Sequence, residues 1–392
     1  MYTTKKLARN KLEDKNSLTS DYISLSINQR GIMNQISELQ KTLSHFLDWN
    51  KARISCLSQI LHALFHVRTV NLTQIAEAFQ SSAKEESVYR RVQRFFKEFS
   101  FDMTFIVILV SKLFMLGEKC VLIMDRTNWK WGKSHINILT ISIEHFGIGI
   151  PIFWAVLSTG GNSSLEDRRN IVRKVINLLG VDNIEVLLAD REFIGEPWFR
   201  FLIEEKVPFI IRVKECFLAN GIREGYQVPL SELVKKLGRK KCLVNCSIKL
   251  WGHPLFASVE YAKRAKEAMI VVSNNRFPDP LYLYRWRWGI ETLFSCLKSR
   301  GFCLEDTHMT DPKKIEKLMF ILAIGVCWAY KTGELQARKI PIKLKKHGRK
   351  AISIFRLGLN IIRRVLFGNL KDIPDTLSIL PYLGLVTLEE TL

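Results

Sequence analysis

The segment from Tyr284 to Lys298 carries the side chains of greatest chemical interest in the sequence. An α-helix turns by about 100° per residue, so Tyr284, Arg287 and Glu291 fall on one helix face. Lys298 joins them within an arc of about 60°, and Trp288 lies just beside it. Phenol, guanidinium, carboxylate, ammonium and indole groups on one face suit a phosphate backbone with one metal-binding carboxylate.

A second interpretation of the same segment is structural. Arg287 and Glu291 are four residues apart, and on a helix such a pair forms an ion pair worth a few tenths of a kcal/mol. Lys298 would then belong to the same set of intrahelical contacts. The segment taken alone leaves both interpretations open.

Two further carboxylates follow apolar runs that are typical of short buried strands. Asp125 ends the run Cys120–Met124, and Asp190 ends the run Ile184–Ala189. An aspartate that ends a strand is more often a turn or cap residue than a catalytic one. Neither aspartate predicts an active site by itself.

The three segments together resemble a known family. Residues Tyr284–Lys298 have the spacing Y-x2-R-x3-E-x6-K, which resembles the Tyr-Arg-Glu-Lys motif of bacterial insertion-sequence transposases of the DDE class. The branch includes hairpin-forming, cut-and-paste enzymes. The sequences MDRTNW around Asp125 and ADREF around Asp190 resemble the segments around the family's two catalytic aspartates. The resemblance covers about residues 120 to 310, with the motifs in the family's order.

The resemblance implies that Asp125, Asp190 and Glu291 are the catalytic residues and the metal ligands. Three carboxylates crowded together repel one another and raise their own pKa values, which divalent cations relieve. Oxygen ligands favour magnesium or manganese over zinc. We therefore expect two Mg²⁺ or Mn²⁺ ions in one active site, in a two-metal phosphoryl transfer.

The resemblance also implies DNA contacts along the Tyr-Arg-Glu-Lys segment. Tyr284, Arg287 and Lys298 would hold phosphates of the transposon end. Trp288 would stack on a base that is extruded during hairpin formation. A second stacking residue could be Trp251, although a structural role, as a buried or a turn tryptophan, is the favoured interpretation there.

Three further charged residues lie next to the two aspartates along the chain. Arg126 and Arg191 each follow a catalytic aspartate, and they either reach DNA phosphates or pair with carboxylates. Glu192 is expected to point away from the metals, because successive strand residues face opposite sides.

The order of predicted elements indicates the fold class. From residue 120 the chain has the order β-β-β-α-β-α-β, which is that of a ribonuclease H-like core in an α/β protein. Residues 215–275 interrupt it with short strands, and residues 278–301 read as one helix. The predicted domains are a flexible extension (1–32), a helical DNA-binding domain (33–118), a ribonuclease H-like catalytic domain (119–310) with a β-rich insertion (215–275), and a helical C-terminal region that could support dimerisation (311–392).

The helical N-terminal region contains a helix-turn-helix-like pattern. Helical residues 72–79 and 86–96 flank a short polar link at residues 81–84. The second helix presents three arginines to a DNA major groove, Arg90, Arg91 and Arg94. An ordinary helical hairpin with a solvated basic face is the alternative.

Composition supports an intracellular nucleic-acid-binding protein. The chain has 392 residues, a formal net charge of +21 and a pI of about 9.7, which predicts several domains and a polyanionic partner. Its eight cysteines form no CxxC pair, so a zinc site is not expected. No signal peptide is apparent. The apolar runs Phe105–Leu116 and Leu318–Tyr330 are shorter than the roughly 20 residues of a membrane span.

The sequence thus predicts a transposase that binds the ends of an insertion sequence in double-stranded DNA, cleaves there and joins the 3′ ends to target DNA. We expect a homodimer in a synaptic complex, no membrane association, and a location in the bacterial cytoplasm with the nucleoid. The alternatives are a metal-dependent nuclease without strand transfer and a non-catalytic DNA-binding regulator.

Overall fold

The computed structural model describes residues 36–366, except for short gaps at 38, 42, 45–46, 115–116, 159, 239–240, 263–266 and 347. The predicted extension 1–32 and the end of the C-terminal region lie outside the described residues. The chain divides into two compact units, one of Met1–Phe99 with Trp328–Leu392 and one of Ser100–Cys327. The boundaries predicted at residues 119 and 311 stay predictions.

The described helices are given in chain order: α1 Lys51–Val67, α2 Leu72–Glu77, α3 Glu85–Glu98, α4 Met103–Phe114, α5 Leu165–Leu179, α6 Glu196–Glu204, α7 Ser231–Leu237, α8 Pro280–Arg285, α9 Trp288–Leu297, α10 Pro312–Lys339 and α11 Ile354–Leu366. Two short 3₁₀ turns lie at Val181–Asn183 and Leu304–Asp306, and the described residues between 36 and 44 are also helical.

The described strands are β1 Cys120–Trp131, β2 Ser134–His145, β3 Ile148–Val156, β4 Ile184–Ala189, β5 Phe209–Val213, β6 Leu218–Arg223, β7 Tyr226–Pro229, β8 Cys242–Leu250, β9 His253–Ala262 and β10 Glu267–Ser273. They form one sheet in the order β3-β2-β1-β4-β5-β10-β9-β8-β6-β7.

The first half of this sheet has the predicted β-β-β-α-β-α-β order. Strands β1, β2 and β3 form an antiparallel meander, and β4 and β5 run parallel to β1. Helices α5 and α6 make the crossovers that parallel neighbours require. A capping box begins α5, with the Ser164 and Asp167 side chains each accepting from the other's backbone N–H. This mixed sheet is consistent with a ribonuclease H-like core.

The β-rich insertion continues the same sheet. Strand β10 pairs antiparallel with β5, and its residue Val272 is the register partner of Ile211. Strands β9, β8, β6 and β7 follow outward from β10. The sequence predicts the strands of this region but not their pairing, because alternation along a strand does not name its neighbour.

Trp251 lies in the tight turn between β8 and β9. Its φ is +49° and that of Gly252 is +86°, as in a type I′ hairpin turn. The indole packs edge-on against Phe199 and Phe217, with ring centroids 5.3 and 5.2 Å apart. This arrangement agrees with the favoured structural interpretation of Trp251.

The single helix expected over residues 278–301 is wrong. The chain forms α8 and α9, which are separated by a turn at Trp286 and Arg287. In this turn the backbone N–H groups of Trp286 and Arg287 donate to the carbonyls three residues earlier, as in a 3₁₀ helix. Lys298 is the C-cap of α9, with ψ of −121°, so it lies beyond the regular helix. Tyr284 and Glu291 therefore lie on two separate helices and do not share the face of one regular helix.

Helix α9 packs closely on the meander because of Gly289. A Cβ at this position would lie 3.1 Å from the backbone carbon of Ile148 and 3.2 Å from the nitrogen of Gly149. Neither backbone atom can move aside as a flexible side chain could. The short distance between α9 and β3 brings the end of the Tyr-Arg-Glu-Lys segment over the sheet.

The unit formed by Met1–Phe99 and Trp328–Leu392 is helical where it is described. Its α2 and α3 correspond to the predicted helix-turn-helix-like pair. Around α3 the rings of Trp49, Phe95 and Phe99 pack with centroids 4.5 to 6.3 Å apart. Helices α10 and α11 approach closely, because Gly333 and Gly358 present no side chains at the crossing.

The apolar run Leu318–Tyr330 belongs to a longer element than its sequence suggests. It lies inside α10, whose 28 residues are long and apolar enough to cross a membrane. The expectation that the run is too short for a span is therefore wrong. Its expected character as a core helix agrees with the structure, since 94% of the most apolar stretch of α10 is buried inside the protein.

Candidate active site

The two aspartates lie at one edge of the parallel pair β1 and β4. Met124 and Ala189 are register partners, and Asp125 and Asp190 are the next residues of their chains. Strand β1 does not end at Asp125 as predicted, since it continues to Trp131 along β2. Asp125 instead marks the point where β1 loses its β4 partner.

Each aspartate accepts a hydrogen bond from the backbone of the arginine that follows it. The N–H groups of Arg126 and Arg191 donate to Oδ1 of Asp125 and Oδ1 of Asp190, both over 2.7 Å. Such bonds stabilise an ionised carboxylate and fix its direction.

Burial raises the pKa of Asp125 to about 6. The Arg126 N–H and the Arg287 guanidinium act in the opposite direction, and the charges of Asp190 and Glu192 add to the increase. Desolvation disfavours a charged carboxylate, and like charges disfavour it further. Asp125 is therefore a carboxylate whose charge needs a nearby cation.

Arg287 supplies that cation and bridges two of the predicted catalytic acids. Its Nη1 donates to Oδ2 of Asp125 over 3.1 Å, and its Nη2 donates to Oε1 of Glu291 over 2.7 Å. The Arg287 side chain is 11% exposed and that of Asp125 is 18% exposed. The intrahelical pair considered for Arg287 and Glu291 thus forms, and the same guanidinium reaches Asp125 as well.

The balance of charges around Arg287 keeps its guanidinium positive. Burial would lower its pKa, but Tyr284, Glu291, Asp190 and Asp125 more than offset this and raise the pKa. The guanidinium is therefore within electrostatic reach of all three acids.

Tyr284 occupies a buried position beneath the acids. It is 5% exposed and packs in the core cluster with Leu188 and Ile210. Its hydroxyl donates to Oδ1 of Asp190 over 3.4 Å, and burial raises the pKa of the phenol. Tyr284 therefore stays a neutral donor, and its location favours support of Asp190 over contact with a phosphate at the surface.

Lys298 lies near the C-terminal end of β1. Its Nζ pairs with Glu305 at 2.7 Å and donates to the backbone oxygen of Asn128 over 3.2 Å. It also lies 5.9 Å from the ring centroid of Trp129. Only 23% of the Lys298 side chain is exposed, so a phosphate would have to compete with Glu305.

Trp288 is the most exposed residue of the segment, at 64%. It lines an open cleft of about 840 Å³ with Tyr282, Trp286 and Phe146, and Arg285 adds a positive charge there. An exposed indole at the rim of an aromatic cleft can stack on a planar group.

A second ion-pair network lies beside Asp125. Arg126 donates from Nε and Nη2 to the two oxygens of Glu192, over 2.7 and 2.9 Å. Its Nη1 donates to Asn137 over 3.0 Å. Of the two roles left open for Arg126, the structure shows carboxylate pairing. Glu192 points toward Arg126, and its charge still reaches Asp125.

The comparison with protein families identifies the family of the chain. Residues 116–328, more than half of the chain, match the family described as "Transposase DDE domain". The chain belongs to this family. It is an enzyme that cleaves and transposes DNA, and the two aspartates and Glu291 all lie within the matched residues of the transposase.

A solved structure similar to the transposase is described as "Cryo-EM structure of piggyBac transposase synaptic complex with hairpin DNA". The sequences are 14% identical, the match covers 90% of this chain and 81% of that chain, and the TM-score is 0.43. No curated protein matches the sequence.

DDE transposases generally depend on divalent metal ions, and the acids of this transposase suit such ions in kind. Their oxygens are the donors that Mg²⁺ and Mn²⁺ prefer. Their arrangement does not yet form a coordination shell. Among the described residues, no group of three or more His, Cys, Asp or Glu side chains is placed to hold a metal ion. The Arg287 guanidinium lies between the carboxylates of Asp125 and Glu291, where a metal ion shared by them would bind.

The three arginines predicted for groove binding lie on α3 of the helical unit. Arg90, Arg91 and Arg94 are all exposed, while Val88 and Val92 on the opposite face are buried. This amphipathic division agrees with both interpretations of the helix, and contact with DNA stays a prediction.

Two features of the site are not apparent in the sequence. The first is the bridge from Arg287 to Asp125, which joins residues 162 positions apart. The second is the pair of Arg126 and Glu192, 66 positions apart. The sequence singles out the arginines themselves, through the Y-x2-R-x3-E-x6-K spacing and the Asp-Arg dipeptide at each aspartate, but not the carboxylates with which they pair.

Proposed function

We propose that this transposase belongs to the branch with the Tyr-Arg-Glu-Lys motif, binds the ends of an insertion sequence, cleaves the DNA and joins the 3′ ends to a target. The observation that carries the proposal is the contact between the Tyr-Arg-Glu-Lys segment and Asp125 on strand β1. Arg287 and Glu291 come from the motif, and the same guanidinium joins them to Asp125 beside Asp190. Intrahelical pairing alone would not include Asp125.

Asp125, Asp190 and Glu291 are the residues proposed to hold two Mg²⁺ or Mn²⁺ ions. When bound, the ions would activate the attacking oxygen and stabilise the leaving 3′-oxygen. The backbone N–H groups of Arg126 and Arg191 fix the directions of the two aspartates. The Tyr284 hydroxyl donates to Asp190, which helps to fix the direction of that carboxylate.

The cations of the motif are proposed to hold the DNA strand that reacts. Arg287 can offer two parallel N–H donors to a phosphate, and Lys298 can offer a point charge. Trp288, which is 64% exposed, is proposed to stack on an unpaired base. Arg90, Arg91 and Arg94 are proposed to contact duplex DNA outside the catalytic unit.

The proposed partners are two transposon ends, a target duplex and a second copy of the chain. Synapsis of two ends requires two active sites, which favours a homodimer on DNA. The proposed location is the bacterial cytoplasm, in association with the nucleoid.

A strand-transfer assay with paired ends and a target plasmid tests the proposal. The ends are taken from DNA that flanks the gene, and the products are analysed for joined DNA and for hairpins. Joined product that depends on Mg²⁺ or Mn²⁺ supports the transposase. Cut ends without joined product would favour the metal-dependent nuclease. A gel shift that metal does not change, with no cleavage in either metal, would favour the regulator.

A further inference from the structure

We propose that Arg287 makes metal binding at this site depend on DNA. In the absence of DNA its guanidinium holds Asp125 and Glu291, and a phosphate of the bound strand draws it away and frees the two acids for cations. The inference rests on the proposed function, and it adds an order in which DNA precedes metal.

The contacts of Asp125 are the first reason. Both of its oxygens are engaged, Oδ1 by the Arg126 N–H and Oδ2 by Nη1 of Arg287. Mg²⁺ binds carboxylate oxygens at about 2.0 to 2.1 Å and demands near-ideal geometry. The Arg287 guanidinium, 3.1 Å from Oδ2 of Asp125, occupies the space next to this oxygen in which a metal ion would bind. Its positive charge also repels the metal ion.

The difference between the three acids is the second reason. Arg287 donates hydrogen bonds to Asp125 and Glu291, whereas Asp190 receives its side-chain bond from the neutral Tyr284 hydroxyl. Among the described side chains, the guanidinium of Arg287 therefore donates to two of the three proposed ligands, and a neutral hydroxyl donates to the third. Displacement of one side chain would release both engaged acids together.

The location of Arg287 is the third reason, because it allows a phosphate to compete. The Glu291 side chain is 35% exposed, so one side of the bridge faces solvent. Arg287 lies in the turn between α8 and α9, outside either helix. Its planar fork recognises a phosphate with the same two-donor geometry with which it holds carboxylates.

The direct test measures the binding of Mn²⁺ to the full-length protein in the absence of DNA, by electron paramagnetic resonance. Arg287→Ala should bind Mn²⁺ at least about fivefold more tightly than the wild type, the lower end of typical coupling between two ligands. Arg285→Ala is the matched control. The Arg285 side chain is 55% exposed and forms an ion pair with Glu260, with an N–O distance of 2.6 Å, instead of with the three acids. This variant should bind Mn²⁺ as the wild type does.

A second variant guards against a folding defect. Arg287→Gln keeps an amide donor next to the acids and removes the charge, and circular dichroism checks that each variant is folded. Folded Arg287→Ala or Arg287→Gln that binds Mn²⁺ no more tightly than the wild type overturns the inference.

The DNA arm uses a duplex from the flank of the gene. In the wild type, this duplex should tighten Mn²⁺ binding, and Mn²⁺ should tighten duplex binding by the same factor, because coupling is reciprocal. In Arg287→Ala this coupling factor should approach one, so that DNA and Mn²⁺ bind independently of each other. Coupling that persists unchanged in the variant contradicts the proposed order.

Asp125→Asn separates this inference from the proposed function. If Asp125→Asn weakens Mn²⁺ binding while Arg287→Ala leaves it unchanged, the metal site stands and the role of Arg287 is lost. If Asp125→Asn, introduced into Arg287→Ala, leaves Mn²⁺ binding unchanged, the acids do not hold the metal, and both proposals fail.

Discussion

Glu192 accepts two hydrogen bonds from the Arg126 guanidinium, at 2.7 and 2.9 Å, directly beside Asp125. The two side chains are 12% and 21% exposed, so neither charge is well solvated. Arg126 is also the residue whose backbone N–H donates to Asp125. The pair therefore fixes the residue whose backbone orients Asp125, the first of the proposed catalytic aspartates.

We expect Glu192→Gln to lower the free energy of unfolding by about 1 to 3 kcal/mol, because Arg126 loses a charged partner in a poorly solvated position. Urea denaturation measures the change. Arg173→Ala is the control, since its 3.3 Å pair with Glu205 is 51% and 33% exposed and should contribute less than about 1 kcal/mol. Equal effects of the two substitutions would show that the Arg126 pair is no stronger than a surface one.

Replacement of a single acid should remove catalysis and leave DNA binding. Asp125→Asn, Asp190→Asn and Glu291→Gln should each reduce end cleavage by about 100-fold or more, the loss expected for one preorganised group that stabilises the transition state. Gel shifts with the same DNA should be nearly unchanged. Cleavage near the wild-type rate in any variant would remove that residue from the site.

The raised pKa of Asp125 predicts a distinct pH dependence of stability. With a folded pKa of about 6 against an ordinary value of 3.8, the folded state holds the extra proton between these values. The Asp125 contribution therefore favours the folded state at low pH and is lost as the pH rises through 6. It amounts to roughly 3 kcal/mol.

The measurement is the difference in unfolding free energy between Asp125→Asn and the wild type, taken from pH 4 to 8. This difference isolates Asp125 from the other carboxylates. It should grow in favour of the variant as the pH rises and should level off above pH 6. A difference that does not vary with pH would contradict the raised pKa.

His62 predicts the opposite trend in the helical unit. It is 3% exposed, and neither of its ring nitrogens has a hydrogen-bond partner among the described residues. Burial, helped by the nearby His66, lowers its pKa from 6.5 to about 4. The folded state thus holds a neutral imidazole, and its contribution to stability is lost as the pH falls from 6.5 to 4.

We expect His62→Leu to be more stable than the wild type by about 1 to 3 kcal/mol at pH 7, because a buried polar group without partners is removed. The advantage should widen toward pH 4. His135→Gln, a change at an exposed histidine on β2, should keep the acid sensitivity of the wild type. Thermal unfolding at several pH values checks this, and a variant that is less stable at pH 7 would contradict it.

Lys298 should contribute to DNA affinity through one phosphate. Lys298→Ala should weaken binding of the end duplex and reduce the salt dependence of log K by about 0.9. Lys235→Ala is the matched control, because Lys235 on α7 also forms an ion pair with a glutamate, at 2.5 Å. This substitution should leave the slope unchanged. Fluorescence anisotropy over a range of salt concentrations gives the slope, and a loss of affinity without a change of slope would exclude a phosphate contact.

The sequence by itself determined which residue types occur, in which order and at which spacing. Apolar runs gave β1, β2, β3, β4 and β5 and their crossover helices, because strand and helix periodicity depends on neighbouring residues. The Y-x2-R-x3-E-x6-K spacing and the two aspartate segments indicated the family that the match over residues 116–328 shows. The capping box of α5 is local in the same way, because Ser164 and Asp167 are three residues apart.

Only the tertiary structure decided which distant groups meet. It broke the expected helix at Trp286 and Arg287, and it joined the insertion to β5 through β10. It also placed Arg287 against Asp125, 162 residues away. Local patterning sets how a segment folds, whereas an ion pair between remote segments depends on how the whole chain packs, and no spacing along the sequence encodes that distance.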